Sequence, residues 1–169
     1  DSGAVGINGL KETDVVLDIS KSVEKYLGDK GVKVLMTRTS EIDVDLNKRV
    51  LMANRTNADA FVSIHANATR GFRREISGIE SYFFTGFYGK KLAEKIQKEL
   101  LYVSPGSPDR GVRQSRFFVI RKTNMPAALI EVGFVTGRYD AKFLALKTHR
   151  RKVAYAISKG ILNYLKESY

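Results

Sequence analysis

Apolar residues recur along this chain with two different periods, and their alternation sketches a layered fold. Val15, Val16, Ile19, Val23, Tyr26 and Leu27 fall on one face at helical spacing, with Gly28 and Gly31 at the exit; this predicts an amphipathic helix with a C-terminal stop. Residues 32–36 form a short apolar, β-branched run, the signal of a strand. Residues 45–57 carry Leu46, Val50 and Ala53 on one face and predict a second helix. Residues 60–64 are almost wholly apolar, as expected of a strand covered on both faces.

The second half repeats the theme. Residues 78–84 alternate as a strand does, and residues 88–101 turn Leu92, Ile96 and Leu100 inward as a helix. Residues 104–111 hold Pro105 and Pro108 and read as a loop. Residues 117–120 and 127–132 read as two further strands, punctuated by Met125-Pro126. Residues 150–165 read as a last helix burying Val153, Ile157, Ile161 and Leu165. Helix and strand in alternation argue for an α/β architecture. The expectation is one layered α/β domain over residues 1–169, with a mostly parallel central sheet of about five or six strands flanked by helices on both faces.

Composition narrows the class. The chain has 169 residues, 43% apolar and 28% charged, the balance of an ordinary globular domain. No run approaches the roughly 18–20 apolar residues of a membrane-spanning helix. The opening lacks the pattern of a secretory leader, and Asp1-Ser2-Gly3 reads as the interior of a longer chain. The absence of cysteine excludes disulfides, thiolate metal sites and cysteine nucleophiles. Lys and Arg outnumber Asp and Glu by 29 to 18, a net charge of +11, which suits an anionic partner: nucleic acid, a membrane surface or a cell-wall polymer.

Few residues are candidates for chemistry. Of the two histidines, His149 lies in a basic stretch opening the last helix and reads as a solvated surface residue. His65 directly follows the buried run 61–64, and in layered α/β folds ligands collect beyond the carboxyl ends of strands. An imidazole there suits a metal ligand, a general base or a hydrogen-bonded structural role. Glu131 ends an otherwise apolar strand, where a carboxylate needs a charge, hydrogen bonds or a metal. Glu12 stands where a glycine-containing loop enters the first helix; an acidic residue there also complements the helix dipole, as Asp14 would.

Taken in order, residues 1–6, Gly9-Leu10-Lys11-Glu12, Thr37-Arg38, Arg49-Val50 and Ala53-Asn54-Arg55 resemble the zinc N-acetylmuramoyl-L-alanine amidases. So do residues 61–67, Gly78-Ile79-Glu80, Asp109-Arg110-Gly111-Val112, residues 117–121 and residues 125–134. The resemblance implies that His65 and Glu12 ligate zinc, and that Glu131 is the catalytic base. It also implies a third ligand, a histidine a few residues before Asp1, on a motif that follows a first strand. Asn67 and Arg113 become candidate substrate contacts, with Arg70, Arg73, Arg74, Arg110 and Arg116 as further basic candidates. Peptidoglycan is the implied partner, outside the cytoplasm, and a monomer is expected. Some members carry a helix that blocks the metal; the short segment 72–77 implies an open cleft here. Two rival classes remain: a basic nucleic-acid-binding module, for which no signature is present, and a wall-binding domain without turnover.

Overall fold

A computed structural model of the chain describes residues 3–71 and 73–167. Among them the order of elements is α1 (Glu12–Gly28), α2 (Leu46–Asn54), β1 (Phe61–Asn67), β2 (Ile79–Phe83), α3 (Phe87–Val103), β3 (Asp109–Gln114), α4 (Phe118–Lys122), β4 (Ala127–Phe134), α5 (Arg138–Leu144) and α6 (Lys147–Lys166). The strands form one mixed sheet in the order β1-β4-β2-β3. β1 runs parallel to β4 and β2 parallel to β3, while β2 and β4 are antiparallel.

Each face of the sheet has its own cover. Ala128, Ile130 and Val132 of β4 point into the main core, with Val15, Ile19 and Val23 of α1, Leu92, Ile96 and Leu100 of α3, and Val153, Ile157 and Ile161 of α6. The alternate residues Ala127 and Leu129 meet a smaller cluster with Val50 of α2 and Val119 and Ile120 of α4. That second cover lies at the end of the sheet where β4 begins. The other end of the same face, where β1 and β4 finish, carries polar side chains.

The structure corrects several expectations. Four strands are present among the described residues instead of five or six, and the sheet is mixed instead of mostly parallel. A parallel return needs a crossover of a dozen or more residues, usually helical. Residues 68–78 contain no helix, so the chain re-enters as β2 in the opposite direction. Residues 32–36 form no strand; Val32 to Thr37 and Ala60 to Ile64 together line a cavity of about 870 Å³ beside β1. Residues 117–120 are largely helical, as α4, since four apolar residues carry no period that distinguishes the two states. The loop expected over 104–111 already yields to β3 at Asp109, a polar edge strand with little apolar signal. The helix α5 was not foreseen at all.

Two tie points hold the end of the sheet that matters. Gly6 packs so closely that a Cβ would overlap the Val135 carbonyl, and the next residue donates its N–H to that carbonyl at 2.9 Å. The loop before α1 is thus seated on the end of β4. Gly6→Ala is expected to cost about 1–3 kcal/mol of stability through overpacking, read as a lower urea midpoint. A midpoint equal to that of the parent chain would refute this close seating. The second tie is Asp140 of α5, which is only 4% exposed. Its carboxylate accepts from the Gly78 and Phe134 backbone N–H groups and from Ser107 Oγ, all at 2.8 Å.

Candidate active site

Strand register assembles a row of ionisable side chains. His65 of β1 stands opposite Glu131 of β4, and Glu131 stands opposite Glu80 of β2. Directly paired residues project to the same face, so the three side chains lie side by side across three strands. They occupy the half of the face that α2 and α4 leave uncovered.

Glu12 reaches this row from the first turn of α1. Its Oε1 lies 3.0 Å from His65 Nδ1 and 3.4 Å from the Ala66 N–H, while Oε2 accepts from the Ala4 N–H at 3.2 Å. Burial works to raise the Glu12 pKa, but the His65 hydrogen bond, its charge and the two backbone donors outweigh it, and the carboxyl falls below its ordinary value. The other ring nitrogen of His65, Nε2, lies 2.9 Å from Ser63 Oγ. Both ends of the imidazole are therefore held. The His65 and Glu12 side chains remain 28% and 19% exposed, so the described residues leave them open to solvent. Phe72, part of the segment expected to be too short to block the cleft, lies outside the described residues, as do Asp1 and Ser2.

Glu131 is the unsatisfied member. Its Oε2 is buried with no hydrogen-bond partner among the described residues. Burial foremost, then the charges of Glu12 and Glu80, push its pKa up to about 7 against the opposing pull of His65. A carboxylate with that value is part protonated at neutral pH and can accept a proton or donate one.

Asn67 is engaged with Glu80. Its Nδ2 donates to Glu80 Oε1 at 2.8 Å and its Oδ1 accepts from the Ala68 N–H at 2.8 Å. Glu80 is 3% exposed, and its Oε2 also accepts from Arg110 Nε at 3.2 Å. The neighbouring Tyr82 hydroxyl is pushed up to about 12 by burial and then by the Glu80 carboxylate. Glu80 had no assigned role in the sequence reading. Its signal was there, a carboxylate inside an apolar strand, the pattern that singled out Glu131.

The basic candidates separate. Arg113 is exposed on β3, in register with Tyr82. Arg73 is engaged with Glu75 at 3.4 Å on the surface. Arg116 stacks near Phe84 at 5.8 Å, at the end of β2 that pairs with the start of β4, away from His65. His149 is not the solvated residue expected of it. It is half-buried, 3.4 Å from Ser104 Oγ and packed against the Phe143 ring, and burial first, then Lys152, lowers its pKa.

The donor set suits a zinc ion in kind. A carboxylate oxygen and an imidazole nitrogen 3.0 Å apart come close to the edge of a tetrahedron with bonds of about 2.1 Å, roughly 3.4 Å. It is incomplete in number, because no group of three metal-ligating side chains occurs among the described residues. No helix among them is long and apolar enough to cross a membrane.

Known proteins resemble this chain over nearly its whole length. A family model described as N-acetylmuramoyl-L-alanine amidase matches residues 1–163. The amidase LytC of Bacillus subtilis is 39% identical over 167 residues, which cover 97% of this chain and 33% of LytC. This chain thus spans about a third of that relative's length. The germination-specific amidase of the same organism is 34% identical over 183 residues, covering 99% of this chain and 76% of the relative. Among solved structures, the amidase AmiC2 of Nostoc punctiforme superposes with a TM-score of 0.94 at 43% identity, covering 98% of this chain and 91% of that one.

Proposed function

This chain belongs to the N-acetylmuramoyl-L-alanine amidase family, and on that premise we propose that it hydrolyses the amide joining N-acetylmuramic acid to L-alanine in peptidoglycan, with zinc as cofactor. The observation that carries the reading is the unpartnered Glu131 Oε2 in register with His65, which is itself held by Glu12.

In this reading Glu12 and His65 hold the ion. When bound, zinc supplies Lewis acidity, acidifying water from a pKa of 15.7 to about 7 and polarising a carbonyl. Glu12, with its depressed pKa, stays ionised, as a carboxylate ligand must. Ser63 Oγ, 2.9 Å from Nε2, steadies the far side of the ring. Glu131 takes the proton of the attacking water on Oε2 and returns it to the nitrogen of L-alanine as the C–N bond breaks. Such transfer contributes roughly a hundred- to ten-thousand-fold. Arg113, exposed on β3, and Asn67 contact substrate at the rim of the face. By family likeness a histidine completes the donor set, and the two donors that Glu12 and His65 provide leave a place for it. The net charge of +11 suits the anionic wall outside the cytoplasm.

The test uses the full-length protein and purified peptidoglycan. The expected result is about one zinc per chain and release of peptides with a new L-alanine amino terminus. Wall binding without release would favour a non-catalytic domain; salt-sensitive DNA binding alone would favour the nucleic-acid reading.

A further inference from the structure

Arg110 differs from the other arginines near the site in being built into it. Its aliphatic stem lies against Gly78, where a Cβ would meet Arg110 Cδ at 2.5 Å and Cγ at 2.6 Å. Its guanidinium carbon stands 5.1 Å from the centre of the Phe134 ring. Its Nε donates to Glu80 Oε2 at 3.2 Å. Three separate contacts fix the side chain, yet Nη1 and Nη2 carry no hydrogen bond to the protein among the described residues. The side chain stays 34% exposed. The pairing with Glu80 uses one of the five guanidinium N–H groups. The contacts pre-organise a planar fork and leave its outer donors free, the arrangement that receives a carboxylate bidentately.

We propose that Arg110 is a specificity-determining residue that binds a free carboxylate on the peptide side of the scissile amide. The inference deepens the amidase reading and rests on it. The choice of side follows from the chemistry of the substrate. The one carboxyl of muramic acid is consumed in the amide that is cut, so the sugar side has hydroxyls and an acetamide but no free acid. Any carboxylate must lie beyond L-alanine. The distance also suits this. Glu80 and Glu131 are a direct cross-strand pair, with Cβ atoms about 5 Å apart, and Arg110 stands one hydrogen bond past Glu80. One further residue of extended peptide covers roughly 3.5 Å, so the acid read is that of the residue following L-alanine or its near neighbour.

The experiment compares two muramoyl peptides that differ only in whether the carboxyl of the residue after L-alanine is free or amidated. Relative kcat/KM is measured with the full chain, and relative Kd by calorimetry in the Glu131→Gln background, where turnover does not intrude. The native chain is expected to favour the free acid by about tenfold or more in both readouts. Arg110→Gln is expected to bring both ratios close to one. Arg110→Lys, which keeps the charge and loses the fork, should fall between and serves as the deciding variant if the glutamine form does not fold. A ratio near one in the native chain, or one that survives in Arg110→Gln or in full in Arg110→Lys, overturns the assignment while the amidase reading stands. Failure of the native chain to hydrolyse either peptide or whole peptidoglycan overturns both.

Discussion

Replacing Glu131 by glutamine is expected to remove nearly all hydrolysis, by at least a hundredfold and up to about ten-thousand-fold, while zinc content and fold are retained. The two donors proposed for the ion, Glu12 and His65, bond each other and not Glu131, so their geometry survives the change. Glutamine occupies the same volume but cannot take a proton from water. An active glutamine variant would remove Glu131 from its role. The same substitution carries a second, independent signature in metal-free protein. The Glu131 pKa is raised from 4.5 to about 7, so the folded state binds this proton more tightly than the unfolded chain does. The stability associated with it is fully present below about pH 4.5 and is lost as pH rises through 7. A shift of that size corresponds to about 3 kcal/mol. Glutamine cannot ionise and escapes the loss. Urea denaturation at pH 5 and pH 8 should therefore show the variant gaining on the native protein by about that amount at the higher pH. Parallel pH dependence of the two proteins would mean that the carboxylate is better solvated than its surroundings suggest.

Asp140→Ala is expected to be the most destabilising single change away from the chemistry. One buried carboxylate collects N–H groups from the residue before β2 and from the end of β4, and a hydroxyl from the turn after α3. Truncation leaves those donors buried without an acceptor, a loss of roughly 3–5 kcal/mol. For a domain of this size that corresponds to a fall in Tm of about 6–20 °C. Asp140→Asn keeps an acceptor oxygen for the backbone groups and should fall by clearly less. Equal melting of the alanine and native proteins would refute the anchor. The consequence for function is direct, because Gly78, which cradles Arg110, and Phe134, over which Arg110 stacks, are both fixed by this residue.

Much of the site was legible in one dimension because burial and charge conflict there. His65 and Glu131 each follow apolar runs, and an ionisable group within a covered strand has to be satisfied by something. Glu80 presents the same conflict in residues 78–84 and was open to the same inference. Glu12 carried no such signal, since a carboxylate in a first helical turn has an ordinary electrostatic explanation. Its role followed from family likeness, and its contact with His65 joins residues 53 positions apart. Asp140 was invisible for a related reason: its partners are backbone N–H groups, and backbone donors leave no mark on the residue types that bear them. The misread elements have local causes as well. A run of four apolar residues at 117–120 is too short to show a period, and β3 is polar because it lies at the sheet edge.

The sequence by itself determined which faces are apolar, where the helices α1, α2, α3 and α6 and the strands β1, β2 and β4 fall, and that His65 and Glu131 directly follow apolar runs. Those are properties of neighbouring residues, and hydrophobic period records them. The structure places His65 and Glu131 inside their strands, since β1 continues to Asn67 and β4 to Phe134. Only the tertiary structure decided the strand order β1-β4-β2-β3, the reversal at β2, and hence the single row of His65, Glu131 and Glu80. Register across strands depends on which edges meet and on whether a connection is long enough to cross the sheet. It is set by contacts between residues far apart in the chain, whose energies no local pattern encodes.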